Sequence, residues 1–503
     1  MKRFDPCTYT SILATVLIAC AANLRAEVKP NALFGHHMVL QQDLAVPIWG
    51  TAEAGEKVAV GFNGQKRQTV AKPDGTWSLK LDPMKVSDPG TFTVNDLTYT
   101  NVVVGEVWLG SGQSNMAGGA GGYAKKDPNL TRIINEGPYP KLRLFDRRSG
   151  QWRIAQTASI NAFSAIHFSF GFALQHELDI PVGLMYGAVG GTPSGRWLTR
   201  EMAAADPALK AFGFGDDAVM KAKHAEEMEA YKEDVAQAKK DGKKAPRRPR
   251  GPIQMGDLYD AHIKHYVPYG MRGVLWDQGE SKTALPDVDQ ITTMHALING
   301  WRHTWHQGDF PFLHVQKPSG GGIAWDGDTP VTRLSKKISP LPAAHNDKPE
   351  SLKYQLDHIA MGKLNNAPLV TALDLEPGVH PTNKSGYGKR AATVALGAVY
   401  GKDVAICGPV YKSHKIEGSN IRITYDHTNG GLAFKHADTL QGFEIAGADG
   451  KWEWAKAVID GDTVLVSHEN IPAPVKVQYA FSPNPSFANL FNKEGWPALM
   501  FTK

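Results

Sequence analysis

Cysteine is scarce, with three in 503 residues, at positions 7, 20 and 407. That excludes a disulfide-dense scaffold and a four-cysteine zinc site. No run approaches the about 18 uninterrupted apolar residues of a transmembrane helix, so no membrane-spanning segment is expected. An excess of one charge is also lacking. Lys and Arg number 55 against 50 Asp and Glu, and a net +5 is too weak over this length to argue for nucleic-acid binding. There is no repeat at a solenoid or propeller period. The Gly-x-Ser-x-Gly elbow and the His-Glu-x-x-His pattern are both absent. Two His-x-x-His pairs, His262/His265 and His303/His306, read as surface histidines on helices rather than as metal ligands. The glycines at 118, 119, 121 and 122 are not followed by Gly-Lys-Ser/Thr, so they read as a flexible loop and not a phosphate loop.

What is present suffices for a packed core, with 42% hydrophobic and 21% charged residues. Lys2 and Arg3 precede an apolar stretch from Ser11 to Ala22, and Ala26 is a small residue suited to cleavage. Residues 1–26 therefore read as a signal peptide, and the protein as exported to the periplasm or beyond the cell. Leu17-Ile18-Ala19-Cys20 also resembles a lipobox, which would anchor a lipid on Cys20. Residues 27–100 form short β-rich runs, such as Val46–Trp49, Lys57–Val60 and Phe92–Val94, with Asn63-Gly64 and Asp74-Gly75 as hairpin turns. They predict a small sandwich-like domain, with Pro47 confining its strand to a sheet edge. Residues 101–410 mix apolar strands with helical patterns and predict an α/β domain. Val102–Leu109, Pro181–Tyr186 and Gly273–Trp276 are its buried strands, each followed by Gly and polar residues. Ligands bind at the carboxyl ends of such strands. A helical, basic insertion spans residues 214–252: a helix over Ala218–Lys240, then Lys243, Lys244, Arg247, Arg248 and Arg250, read as a solvated helix end with a flexible connector. Residues 411–503 return to β character.

Ser114 is the first candidate for chemistry. The strand Val102–Leu109 runs into Gly110-Ser111-Gly112-Gln113-Ser114-Asn115-Met116. A serine lifted above a sheet edge on a Gly-rich turn can attack an ester, with backbone N–H groups facing the carbonyl oxygen, provided a base is near. A helix N-cap serine suits the same position, and the local sequence leaves both readings open.

The segment Gly105–Met116 closely resembles the first block of the sialate O-acetylesterase family, within the SGNH (GDSL-like) hydrolases. Pro181–Leu184 with Gly190-Gly191-Thr192-Pro193 is similar to its second block, Gly273–Ser281 to its third, and His380-Pro381-Thr382-Asn383-Lys384 to the block carrying the base. Flanking segments at Met38–Gln41, Gln307–Phe312 and Asn489–Gly495 extend the likeness over nearly the whole chain beyond residue 26. The resemblance implies a three-layer α/β/α SGNH hydrolase core flanked by β-rich domains from both chain ends. It implies a serine carbohydrate O-acetylesterase acting through an acyl-enzyme, with acetylated carbohydrate as partner and no metal or organic cofactor. The same motifs leave room for an acetylxylan or other polysaccharide acetylesterase, or for a non-catalytic carbohydrate-binding protein. By the resemblance Ser114 is the nucleophile and His380 the base, while Gly190, Gly191 and Gln278 join the Ser114 N–H in the oxyanion hole. The acid departs from the pattern. Pro377 stands three residues before His380, where many SGNH hydrolases have Asp. Glu376 is the favoured substitute, with Asp374, Glu280 and a backbone carbonyl as alternatives. Asp277 also stands where the family usually has an aromatic residue.

Overall fold

The computed structural model describes residues 28–503, apart from 215, 250, 252–253, 317–320 and 347–348. The expected signal peptide, Cys20 and Arg250 lie outside the described residues.

The core is built on seven strands of an 11-stranded sheet. These are β1 (Leu97–Gly112), β2 (Tyr139–Asp146), β3 (Gln151–Ala155), β4 (Val182–Ala188), β5 (Gly273–Asp277), β6 (Phe312–Val315) and β7 (Leu369–Val370). Their order is β3-β2-β4-β1-β5-β6-β7, parallel throughout except for the β3/β2 hairpin. A parallel sheet is buried on both faces, so its strands read as continuous apolar runs. Successive side chains then separate to opposite sides. Val107, Leu109, Val274 and Trp276 join one core, while Trp108, Leu275 and Leu313 join the other. Helices α1 (Ala165–Leu178) and α4 (Lys384–Ala398) cover the second face; α3 (Gln290–Trp305) covers the first. Together they make a mixed α/β domain with helices on both faces of a parallel sheet.

Strand β1 does not begin at the expected boundary after residue 100. It starts at Leu97 and pairs antiparallel with Ser87–Val94 and parallel with Val39–Gln41 before entering the core sheet. One strand thus belongs to both regions, and no linker separates them. Asn63 and Gly64, both at positive φ, close the hairpin between Lys57–Phe62 and Gln65–Val70. The Pro47 strand, Val46–Thr51, is not at an edge: it lies between Lys29–Pro30 and Thr76–Leu81. The first of these pairs only with Gly50 and Thr51, so Pro47 is tolerated where that neighbour is absent.

Beyond residue 410 two four-stranded antiparallel sheets form. Both supply the same core, through Ile421, Ile423, Val464 and Val466 from one and Phe443, Ile445, Val477 and Tyr479 from the other. In the insertion, helix α2 (Asp217–Lys240) starts on Asp216, whose carboxylate accepts from the Ala218 N–H. Residues 243–249 follow without helix or strand, mostly exposed. Among the described residues no helix is long and apolar enough to cross a membrane.

An ion pair to a buried carboxylate ties the core together. Glu106, wholly buried on β1, accepts two hydrogen bonds from Arg272, at 2.7 and 2.8 Å, and one from the Tyr400 hydroxyl at 2.9 Å. Removing one partner strands a buried charge. Arg272→Ala is therefore expected to lower stability by about 3–5 kcal/mol in denaturant melts, with partial recovery when Glu106→Gln is added.

Candidate active site

The site forms at the carboxyl edge of the sheet, where the loops after β1, β4, β5 and β7 converge. Strand β1 ends at Gly112, whose φ of +128° favours glycine. A Cβ there would lie 2.1 Å from the Asp277 carbonyl oxygen, so β1 and β5 can approach this closely only through a glycine. The Gln113 N–H then donates to the same carbonyl at 2.8 Å. Ser114 follows as the first residue of a single helical turn, Ser114–Ala117, half-buried at the edge.

His380 meets it from 266 residues away, with Nε2 2.9 Å from Ser114 Oγ. The segment Gly378–His380 is exposed, and the ring makes no other hydrogen bond among the described residues. Gly190 faces Ser114: a Cβ on it would lie 3.6 Å from the serine Cβ. Gly191, at φ +69°, opens onto free space. Among the described residues the backbone N–H groups of Ser114, Gly190 and Gly191 donate to no protein acceptor. Ser114, His380, Gly190 and Gly191 are thus brought together.

Gln278 directs its amide elsewhere. It is fully buried, and its amide nitrogen donates to the carbonyls of Thr192 at 3.3 Å and Lys282 at 3.0 Å. Its oxygen accepts from Gln290 at 3.1 Å. An amide has two N–H groups, and both are engaged in bracing the loops after β4 and β5. The oxyanion role expected of Gln278 is corrected to that of a brace.

Glu376 is also not hydrogen-bonded to His380. Its carboxylate accepts from the Asn383 N–H at 2.8 Å and the Thr382 hydroxyl at 3.2 Å. Pro377 and Gly378, the latter at φ +103°, carry the chain outward, while the carboxylate reaches forward to the turn that starts α4. The expected triad acid is therefore a support for that turn. Asp374 is excluded by its own pairing, a buried two-point contact with Arg390 at 3.0 and 2.8 Å. Glu280 instead reaches the serine's neighbours. Its two oxygens accept from Gln113 Nε2 at 2.6 Å and Asn115 Nδ2 at 3.0 Å. The sequence offered no signal for this use of Gln113 and Asn115 beyond their places beside Ser114.

A cavity of about 970 Å³ adjoins Gly191 and Ser281. Met220, Lys223 and His224 of helix α2 form one wall and Leu285 another. Mixed polar and apolar lining at this size suits an organic ligand of more than one ring. Among the described residues no group of three or more His, Cys, Asp or Glu could hold a metal ion. His262 instead contacts Arg147 through Nδ1 at 2.6 Å, and burial pushes the His265 pKa down to about 4.

Residues 104–339 match the sialic acid-specific acetylesterase family of carbohydrate esterases. That family match spans β1 through β6 and includes Ser114, both glycines and Glu280, whereas His380 lies beyond it. Sialate O-acetylesterase of Rattus norvegicus is 27% identical over 455 residues, covering 78% of each chain. The human sialate O-acetylesterase is 26% identical over 426 residues, covering 74% of this chain and 71% of its own. A solved carbohydrate acetylesterase of Xanthomonas citri superposes with a TM-score of 0.74 at 24% identity, over 95% of this chain and 99% of its own. That likeness extends the shared fold to both β-rich ends.

The close contact at Gly112 predicts that Gly112→Ala displaces Ser114. A misplacement of about 1 Å can cost a hundredfold in rate. Ester hydrolysis by this variant is expected to fall by more than about tenfold, together with its unfolding temperature, and assays of both check it. For Glu376, Gln would still accept from Thr382 and Asn383. Glu376→Gln is expected to change kcat by less than about threefold, since no contact with the imidazole is lost.

Proposed function

We propose that this protein is a carbohydrate O-acetylesterase, similar to sialate O-acetylesterases, with an SGNH-type core that works through a serine acyl-enzyme. The observation that carries this reading is the 2.9 Å contact between Ser114 Oγ and His380 Nε2 beside Gly190. The family match over residues 104–339 supports it. A non-catalytic carbohydrate-binding protein would have no use for a paired serine and imidazole.

In this mechanism neutral His380 takes the Ser114 proton as Oγ bonds to the acetyl carbon. The carbonyl oxygen becomes an oxyanion, held by the N–H groups of Ser114 and of Gly190 or Gly191. The C–O bond to the sugar then breaks, and the imidazolium protonates the leaving hydroxyl. A water molecule, deprotonated by His380, attacks the acetyl-serine. Acetate leaves and Ser114 regains its proton. The chemistry asks for no metal or organic cofactor.

Acetate release from a panel of O-acetylated sugars, sialic acids and xylan among them, tests the function and ranks its substrates. Ser114→Ala is expected to lower kcat at least about a thousandfold while the protein stays folded, as for other triad serines. Near-normal turnover in that variant would remove Ser114 from the reaction.

A further inference from the structure

We propose that Asn115, fixed by Glu280 and Lys384, is the positioning residue for His380. The proposal rests on reading Ser114 and His380 as the catalytic pair. It answers a question that the geometry poses, namely what holds the imidazole when, among the described residues, no carboxylate bonds to it.

The segment that carries His380 has little else to fix it. Gly378, Val379 and His380 are exposed, and Val379 keeps 58% of its surface in water. Among the described residues, the backbone of residues 377–381 makes a single hydrogen bond. The Val379 carbonyl accepts it from Asn115 Nδ2 at 3.1 Å. That carbonyl belongs to the peptide unit leading into His380, so the tether acts one residue from the imidazole.

The tether itself is held rigidly. Asn115 is wholly buried, one residue beyond the serine. The same Nδ2 donates to Glu280 at 3.0 Å, and Oδ1 accepts from Lys384 Nζ at 2.6 Å. The Lys384 ammonium is itself buried and lies 4.4 Å from the Tyr123 ring centroid. The cation on the amide oxygen draws electron density from the nitrogen, which strengthens the N–H bond to Val379. Glu280 is fixed in turn by Gln113 at 2.6 Å, and Gln113 accepts from the Ser281 N–H at 3.3 Å. Serine and histidine are therefore referred to one frame. The residues on either side of Ser114 grip Glu280, and one of them also grips the histidine loop.

The test must separate positioning from packing. Asn115→Asp keeps the acceptor for Lys384, loses both N–H bonds and sets two carboxylates together. It is expected to lower kcat at least about tenfold, with KM within about twofold, because loop geometry and not substrate binding is disturbed. Adding Glu280→Gln restores a donor–acceptor pair between positions 115 and 280 and relieves the repulsion, but leaves the Val379 carbonyl without its donor. The double variant should regain its unfolding temperature while kcat stays low. Recovery of kcat together with stability would overturn the proposal, because it would show that Asn115 serves only to pack Glu280. NMR relaxation of the backbone of residues 378–380 gives a reading independent of activity. Lower order parameters in Asn115→Asp, persisting in the double variant, are expected, and unchanged order parameters would overturn the tether. If the wild-type protein releases no acetate from any ester, the esterase reading falls, and the relaxation measurement still decides the tether.

Discussion

The close approach of β1 to β5 at Gly112 is the constraint on which the site depends. Two backbones meet there without a Cβ between them, and the loops at the sheet edge are built on that contact. The Gln113 N–H bonds the Asp277 carbonyl, and the Val189 N–H bonds the Gly112 carbonyl at 3.1 Å. The loops after β1, β4 and β5 are thus joined by backbone hydrogen bonds before any side chain takes part. The sheet beneath them is rigid because it is buried on both faces, with Trp108 packed into one core and Trp276 into the other. A nucleophile mounted on such an edge needs no flexible adjustment to face the glycines after β4.

Around this edge, polar side chains mainly satisfy the backbone. Gln278 takes the carbonyls of Thr192 and Lys282, and Glu376 takes the N–H of Asn383. Loops at the rim of a sheet leave peptide groups without ladder partners, and leaving them buried and unpaired is costly. Asp374 meets a different need, as the partner of the buried Arg390. The carboxylate that reaches the serine's neighbours is Glu280, which arrives from the loop after β5.

The insertion adds a wall rather than a separate body. Helix α2 is mostly exposed, carries both signs of charge and buries Met220 near its start, beside the cavity. Its amino-terminal half therefore contributes to the space next to Gly191, while its carboxyl end and Lys243, Lys244, Arg247 and Arg248 after it remain in water.

The sequence by itself determined three central strands of the core, the hairpin at Asn63-Gly64, the insertion helix and the two residues that meet at the site. Those features follow from local pattern: continuous apolar runs, a turn dipeptide, a helix-forming composition, and short motifs around Ser114 and His380. Tertiary structure decided the roles of Glu376, Gln278, Asp374 and Asn115. It also decided the place of Pro47 and the continuity of β1 through the expected boundary. The reason is common to all of these. A polar side chain can serve catalysis, bracing or ion pairing with the same atoms, and its partner is selected by contacts between distant parts of the chain, 269 residues apart for Asn115 and Lys384. Chain-local chemistry names what a residue can do, and only the folded arrangement supplies the acceptor or donor that it actually meets.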